Sequence, residues 1–283
     1  MPVMVIDGLV TRYEVVGSGP SVLMFSPGGF DATIEKWATQ GIYARIRPVD
    51  HLSKSYTCIV FDRRESGESG GRVEVITWRH YAAQGRGLLE QLGIARAHVL
   101  GACMGCSPAM ALAVACPEIV TSLVLYWPVG GPHYRMNSHA RFAEHLQYVR
   151  QQGLEGVAAL ARGDGKPFNQ DPRGGPWATV IRRDARFAEE YQKQNVASYE
   201  RLVETMRDGL FDRDTSPGAN PEDLMRLQIP ALVVPGQDKT HATSAARYVE
   251  ECLPRSEYWD VPVEQQNETT VPQRLLDFLR SAD

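Results

Sequence analysis

The residues best suited to covalent chemistry form a run of five, Gly101-Ala102-Cys103-Met104-Gly105. A β-rich run over residues 97–100 precedes them. A small-residue helical run over 104–115 follows and ends before Pro117. A residue on so sharp a strand-to-helix turn crowds its neighbours, and Gly101 and Gly105 remove the side chains that would clash. The Cys103 thiol then projects above the carboxyl edge of a sheet, at a helix N-terminus whose dipole and free N–H groups favour a thiolate. The N–H of Met104 is a natural donor to an oxyanion formed there.

Other elements must hold this turn in place. Strand-like runs occupy residues 3–6, 11–16, 21–25, 56–61, 120–126, 231–234 and 257–261. Helical spacing occupies 77–92, 243–252 and 272–280. Strands alternating with helices predict an α/β fold with a mostly parallel sheet and helices on both faces. Residues 131–220 break the alternation. They carry helical stretches at 140–151 and 184–209 and Gly/Pro/Asp-rich linkers at 163–175 and 214–221. Because the alternation resumes afterwards, we expect residues 1–130 and 221–283 to share one sheet and 131–220 to form an inserted helical cap.

Nearly the whole chain resembles the α/β-hydrolase superfamily. The turn fits the nucleophile-elbow pattern Gly-x-Ser-x-Gly with cysteine in the serine place, as in the dienelactone hydrolases. Phe61-Asp62-Arg63-Arg64 with Gly67 and Ser69 is similar to the family's Asp-x-Arg-x-x-Gly-x-Ser stretch. Ser26-Pro27-Gly28-Gly29 stands where the family has His-Gly, so the resemblance implies a second oxyanion donor at Gly29 or Phe30. The stretch from Ile229 to Asp238 is similar to the acid-bearing strand and loop, which implies Asp238 as the acid.

The sequence departs from the family after the last strand. Where a histidine is expected, residues 259–267 contain none. Of the seven histidines, His241 lies three residues beyond Asp238, on a loop at the carboxyl edge of the sheet, which is the correct rim. His133 follows a strand at the mouth of the site and is the next candidate, either as base or as a substrate-lining residue. His98 lies within a strand, His51 and His80 lie far from the strand ends, and His139 and His145 are expected exposed on the cap. A triad is defined by geometry rather than chain order. Asp238 could therefore orient His241 from the same loop, or Glu264 could do so from the stretch that the usual histidine has left.

Cys103 and Cys106 also form Cys-x-x-Cys at a helix start, a spacing similar to thioredoxin-like redox sites. The flanking glycines favour the elbow, with Cys106 packed beneath. The expected activity is hydrolysis of an ester, lactone or related acyl bond through a cysteinyl thioester. Acyl transfer, cleavage of a C–C bond, or ligand binding without turnover are the alternatives on the same fold. Trp177, Phe168, Tyr134 and Tyr148 suggest a partly apolar small-molecule substrate.

Composition sets the outer bounds. The net charge of −4 argues against nucleic acid as a partner. No apolar run reaches the roughly eighteen residues of a membrane span. Five scattered cysteines and no secretory-type N-terminus predict a cytoplasmic protein with reduced thiols. No phosphate loop, metal cluster or dinucleotide fingerprint is present, so no cofactor or metal is expected.

Overall fold

The computed structural model describes residues 2–282. Eight strands form one sheet: β1 (Val3–Ile6), β2 (Leu9–Val16), β3 (Ser21–Phe25), β4 (Thr57–Phe61), β5 (Ala97–Ala102), β6 (Val120–Tyr126), β7 (Ala231–Val234) and β8 (Ser256–Tyr258). Their spatial order is β1-β2-β4-β3-β5-β6-β7-β8. β1 and β2 pair antiparallel, as do β2 and β4, and every other neighbouring pair is parallel. The central strands are mostly apolar because helices cover both faces, and the buried His98 of β5 and Ser122 of β6 hydrogen-bond to each other at 2.8 Å.

Three short helices, α1 (Lys36–Thr39), α2 (Gly41–Ile46) and α3 (Pro48–Leu52), connect β3 to β4. After β4 the chain forms α4 (Trp78–Gln91) and α5 (Cys106–Ala115). These two pack on each other and on β3. Between β6 and β7 the chain forms α6 (Pro132–Asp164), α7 (Ala178–Arg183), α8 (Ala185–Gln192) and α9 (Val196–Leu210), then α10 (Pro221–Leu224). Because β6 and β7 pair directly, as Leu123 with Ala231 and Tyr126 with Val234, the helical block is an excursion from one continuous sheet. α6 kinks at Gly153, where φ is 66°. The chain closes with α11 (Thr243–Cys252) and α12 (Thr270–Ala282), the latter packing on α3 and β6.

The predicted strand at 257–261 is shorter, at Ser256–Tyr258, because backbone bonds from Asp260 to Tyr258 and from Val261 to Trp259 curl the chain out of the ladder. The prediction that His145 is exposed is also corrected. It is fully buried, with Nδ1 at 3.0 Å from the Arg173 carbonyl oxygen and Nε2 at 2.7 Å from the Tyr199 hydroxyl. Burial pushes its pKa down to about 4, so the ring is a neutral core group.

Backbone strain is concentrated at the carboxyl edge of the central strands. Cys103 has φ of 55°, in the left-handed region, directly after β5. Both flanking glycines are required there. A Cβ on Gly101 would lie 2.5 Å from the Gly105 carbonyl oxygen, and a Cβ on Gly105 would run into the Phe25 carbonyl. Gly105→Ala is therefore expected to cost about 2 kcal/mol or more of stability. Guanidinium unfolding should show a lower midpoint; a variant as stable as the wild type would contradict this packing.

Candidate active site

Cys103 sits at the floor of a cavity of about 230 Å³. The side chain is buried, and the N–H groups of Met104 and Gly28 both favour its thiolate. Met104 was expected as an oxyanion donor. Gly28 was not, although it adjoins Gly29 and Phe30, which line the same cavity. Gly28 has φ of 112°, which favours glycine. Arg63 fixes this loop from below: its Nη2 donates to the carbonyls of Gly28, at 2.9 Å, and Gly29. With those carbonyls held by a buried guanidinium, the N–H groups of the turn are free to face the cavity.

His241 and Asp238 form a unit on one loop. Asp238 Oδ1 accepts from the backbone N–H groups of Thr240, at 2.7 Å, and His241, at 2.8 Å. The same carboxylate meets His241 Nδ1 at 2.9–3.0 Å. One side chain thus folds the loop and sets the ring's tautomer, leaving Nε2 to face inward. That nitrogen is buried, makes no hydrogen bond to oxygen or nitrogen among the described residues, and interacts with the Cys103 thiol.

Three further contacts hold the loop against the sheet. Gly130 N–H donates to the Thr240 carbonyl at 3.0 Å, and Gly130 bridges to His241. The Trp127 ring lies 5.3 Å from the imidazole. Gly236 permits this closeness, since a Cβ there would lie 2.5 Å from the His241 Cβ.

The electrostatics follow from this arrangement. Burial alone would raise the Cys103 pKa, but the interaction with His241 and the N–H groups of Gly28 and Met104 outweigh it, and the thiol lies below its usual value. Burial would lower His241, yet Cys103 and Asp238 together raise it. Asp238 is held below the usual carboxylate range by its bond to His241. A thiolate beside an imidazolium is the protonation state these shifts favour.

The other proposed residues are placed elsewhere. Glu264 is exposed on a short turn, Val263–Gln265, that directs it to solvent. From that stretch Gln266 turns inward instead. Its Oε1 accepts from the Tyr126 hydroxyl and Trp127 Nε1, both at 2.7 Å, and its Nε2 donates to the carbonyls of Pro235 and Val261. Gln266 therefore fixes Trp127, the ring that backs His241. His133 is exposed on a separate surface groove beside Asp238, not in the Cys103 cavity. Trp177 does not touch the cavity either. It is fully buried among Tyr191 and Tyr199 and donates to the Arg72 carbonyl at 2.8 Å. Tyr148 stacks under Arg173, whereas Phe168 and Tyr134 do line the cavity.

Cys106 lies beneath the elbow with its sulfur 3.1 Å from the Gly101 carbonyl oxygen. Burial raises its thiol well above the usual range, which disfavours the thiolate that a redox pair needs. Among the described residues, no group of three His, Cys, Asp or Glu side chains is arranged to hold a metal ion, and no helix is long and apolar enough to cross a membrane.

Residues 22–240 match the α/β hydrolase fold family. The chain belongs to that family. It is 31% identical over 125 residues to the dihydrolipoyllysine-residue acetyltransferase component of an acetoin-cleaving system from Cupriavidus necator, covering 44% of this chain and 31% of that protein. It is 29% identical over 119 residues to a 2-hydroxy-6-oxononadienedioate/2-hydroxy-6-oxononatrienedioate hydrolase from a Pseudomonas species, covering 42% and 36% respectively. The chain thus matches only about a third of the length of these two relatives. Among solved structures, the enol-lactonase from Burkholderia xenovorans LB400 superposes with a TM-score of 0.62 at 20% identity, over 99% of this chain and 100% of that one. A thermophilic esterase from Thermogutta terrifontis does so with a TM-score of 0.62 at 20% identity, over 100% and 99%. At that identity these α/β hydrolases share the fold.

The lowered thiol has a direct test in alkylation. Iodoacetamide should label Cys103 with a midpoint below the ordinary thiol value, while Cys58, pushed up to about 12 by burial, stays unlabelled. In His241→Ala the leading favourable interaction is gone and burial acts unopposed by it, so the Cys103 profile should move to higher pH. An unchanged profile in that variant would separate the two residues.

Proposed function

We propose that this α/β hydrolase cleaves an ester, lactone or related acyl bond without a cofactor, with Cys103 as nucleophile, His241 as acid and base, and Asp238 as the orienting carboxylate. The observation that carries this reading is the Asp238 carboxylate 2.9 Å from His241 Nδ1, on a ring whose buried Nε2 shares the cavity with Cys103 and whose charge interacts with the thiol. It is the arrangement an activated nucleophile needs.

In this reading the thiolate adds to the substrate carbonyl carbon. Negative charge moves to the carbonyl oxygen, where the N–H groups of Met104 and the Gly28–Phe30 turn stabilise it. As the intermediate collapses, the acyl C–O bond breaks and the leaving alcohol takes the proton from His241 Nε2. A thioester on Cys103 remains. Water then gives a proton to the neutral imidazole and adds to the thioester carbonyl. Breaking the C–S bond releases the acid and restores the thiolate–imidazolium pair. Asp238 remains ionised throughout, holding Nδ1–H. The helices over residues 132–210 act as a cap, and the T-shaped contacts of Phe30, Phe142 and Phe168 give the cavity an apolar wall.

Kinetics on aryl esters test the roles one at a time. Cys103→Ala should lower turnover on the order of 10⁴-fold or more. Asp238→Asn should cost about a hundredfold or more, as expected when the ring loses its orienting partner. Glu264→Gln should be silent, given the exposure of that side chain. A Cys103→Ala variant retaining a tenth of the wild-type rate would refute the assignment.

A further inference from the structure

Four residues of α6 that line the cavity, Tyr134, Ser138, Arg141 and Phe142, recur at i, i+4, i+7 and i+8, one face of the helix. One of them carries a charge that the machinery described above does not use. Among the described residues no carboxylate, carbonyl or hydroxyl pairs with the half-buried Arg141 guanidinium. The Tyr134 hydroxyl beside it is buried and likewise makes no hydrogen bond. Burial, reinforced by the Cys103 charge, holds its proton on, so it remains a donor. That hydroxyl interacts with both Cys103 and Arg141, which places the cation and the sulfur on one shared space.

The charge balance of the cavity points to its ligand. Cys103 and His241 cancel as thiolate and imidazolium, the Asp238 carboxylate and the buried Arg63 guanidinium behind them cancel in turn, and Arg141 leaves one positive charge in excess. Ser138 is already engaged, donating to the Tyr134 carbonyl at 2.8 Å. What remains is a guanidinium fork, a phenol donor and the polar side chains of Gln40, Asn169 and Thr240. A planar, singly charged carboxylate matches a guanidinium fork in shape and charge. A cavity of about 230 Å³ is below the roughly 300 Å³ at which drug-sized ligands begin to fit, so the part of the substrate it holds, from reacting carbonyl to carboxylate, is short.

We propose that the substrate is a short acyl compound bearing a free carboxylate remote from the reacting carbonyl, and that Arg141, assisted by the Tyr134 hydroxyl, binds that carboxylate. The inference rests on Cys103 being the reacting group. It extends that reading by assigning the far end of the substrate.

Two measurements on the same proteins test it separately from the chemistry. Calorimetry compares glutarate with its neutral diamide, and kinetics compare mono-p-nitrophenyl glutarate with p-nitrophenyl butyrate. The wild type should prefer the anion by about tenfold or more in both, as expected for a charge-assisted hydrogen bond. Arg141→Met should remove the preference, Arg141→Lys should keep part of it, and Tyr134→Phe should reduce it. Thermal melts establish that each variant is folded. If glutarate binding depends on Arg141 but neither ester is cleaved, the carboxylate site stands and the cysteine mechanism fails. If the esters are cleaved with no preference for the anion, or Arg141→Met retains it in both measurements, the carboxylate proposal is overturned and the hydrolase reading stands.

Discussion

The left-handed backbone at Cys103 is the constraint on which the site depends. It turns β5 into α5 within a few residues, and only the missing side chains of Gly101 and Gly105 allow β3 and the helix to approach that closely. Such strain persists because the surrounding sheet over-determines it. β5 is hydrogen-bonded on both edges, to β3 and β6, and every residue in it is buried. The sheet stabilises the turn, and the turn holds a thiol where two backbone N–H groups and an imidazole converge.

The second requirement is met with unusual economy of chain. The Asp238 carboxylate accepts two backbone N–H groups of its own loop and the ring N–H of His241, all within three residues. The carboxylate and the imidazole therefore need no second loop to come together. The stretch after β8 is freed for another task, and Gln266 uses all four of its side-chain hydrogen bonds there to tie Tyr126, Trp127, Pro235 and Val261. Trp127, itself at φ of 56°, lies between this amide and the imidazole. Gln266 thus supports His241 at one remove, from the segment where the resemblance led us to expect a histidine.

What the sequence revealed follows from how local each signal is. The elbow was legible because two glycines at fixed spacing around a cysteine answer a constraint within five residues. Asp238 and His241 were legible because they share a loop after an evident strand. Gly28, Arg63 and Trp127 were not, because their roles depend on which loops the sheet order brings side by side. Glu264 and Gln266 differ only in which way a short turn points them, and no periodicity reports that. Trp177 and His145 lie in the inserted helical block, with packing partners distant in sequence, so their burial was not readable. Arg141 belongs to a helical face that begins at Tyr134, several residues before the helical pattern becomes evident.

In the proposed mechanism, catalysis passes through a covalent bond to Cys103. Rapid-quench mass spectrometry of the intact protein with p-nitrophenyl butyrate, followed by peptide mapping, tests it most directly. The account predicts one butyryl group per chain, located on the peptide containing Cys103, forming with the first turnover of nitrophenol and persisting longer in His241→Ala. Nitrophenol release at the wild-type rate from Cys103→Ala, or an acyl group carried on any other residue, would contradict it.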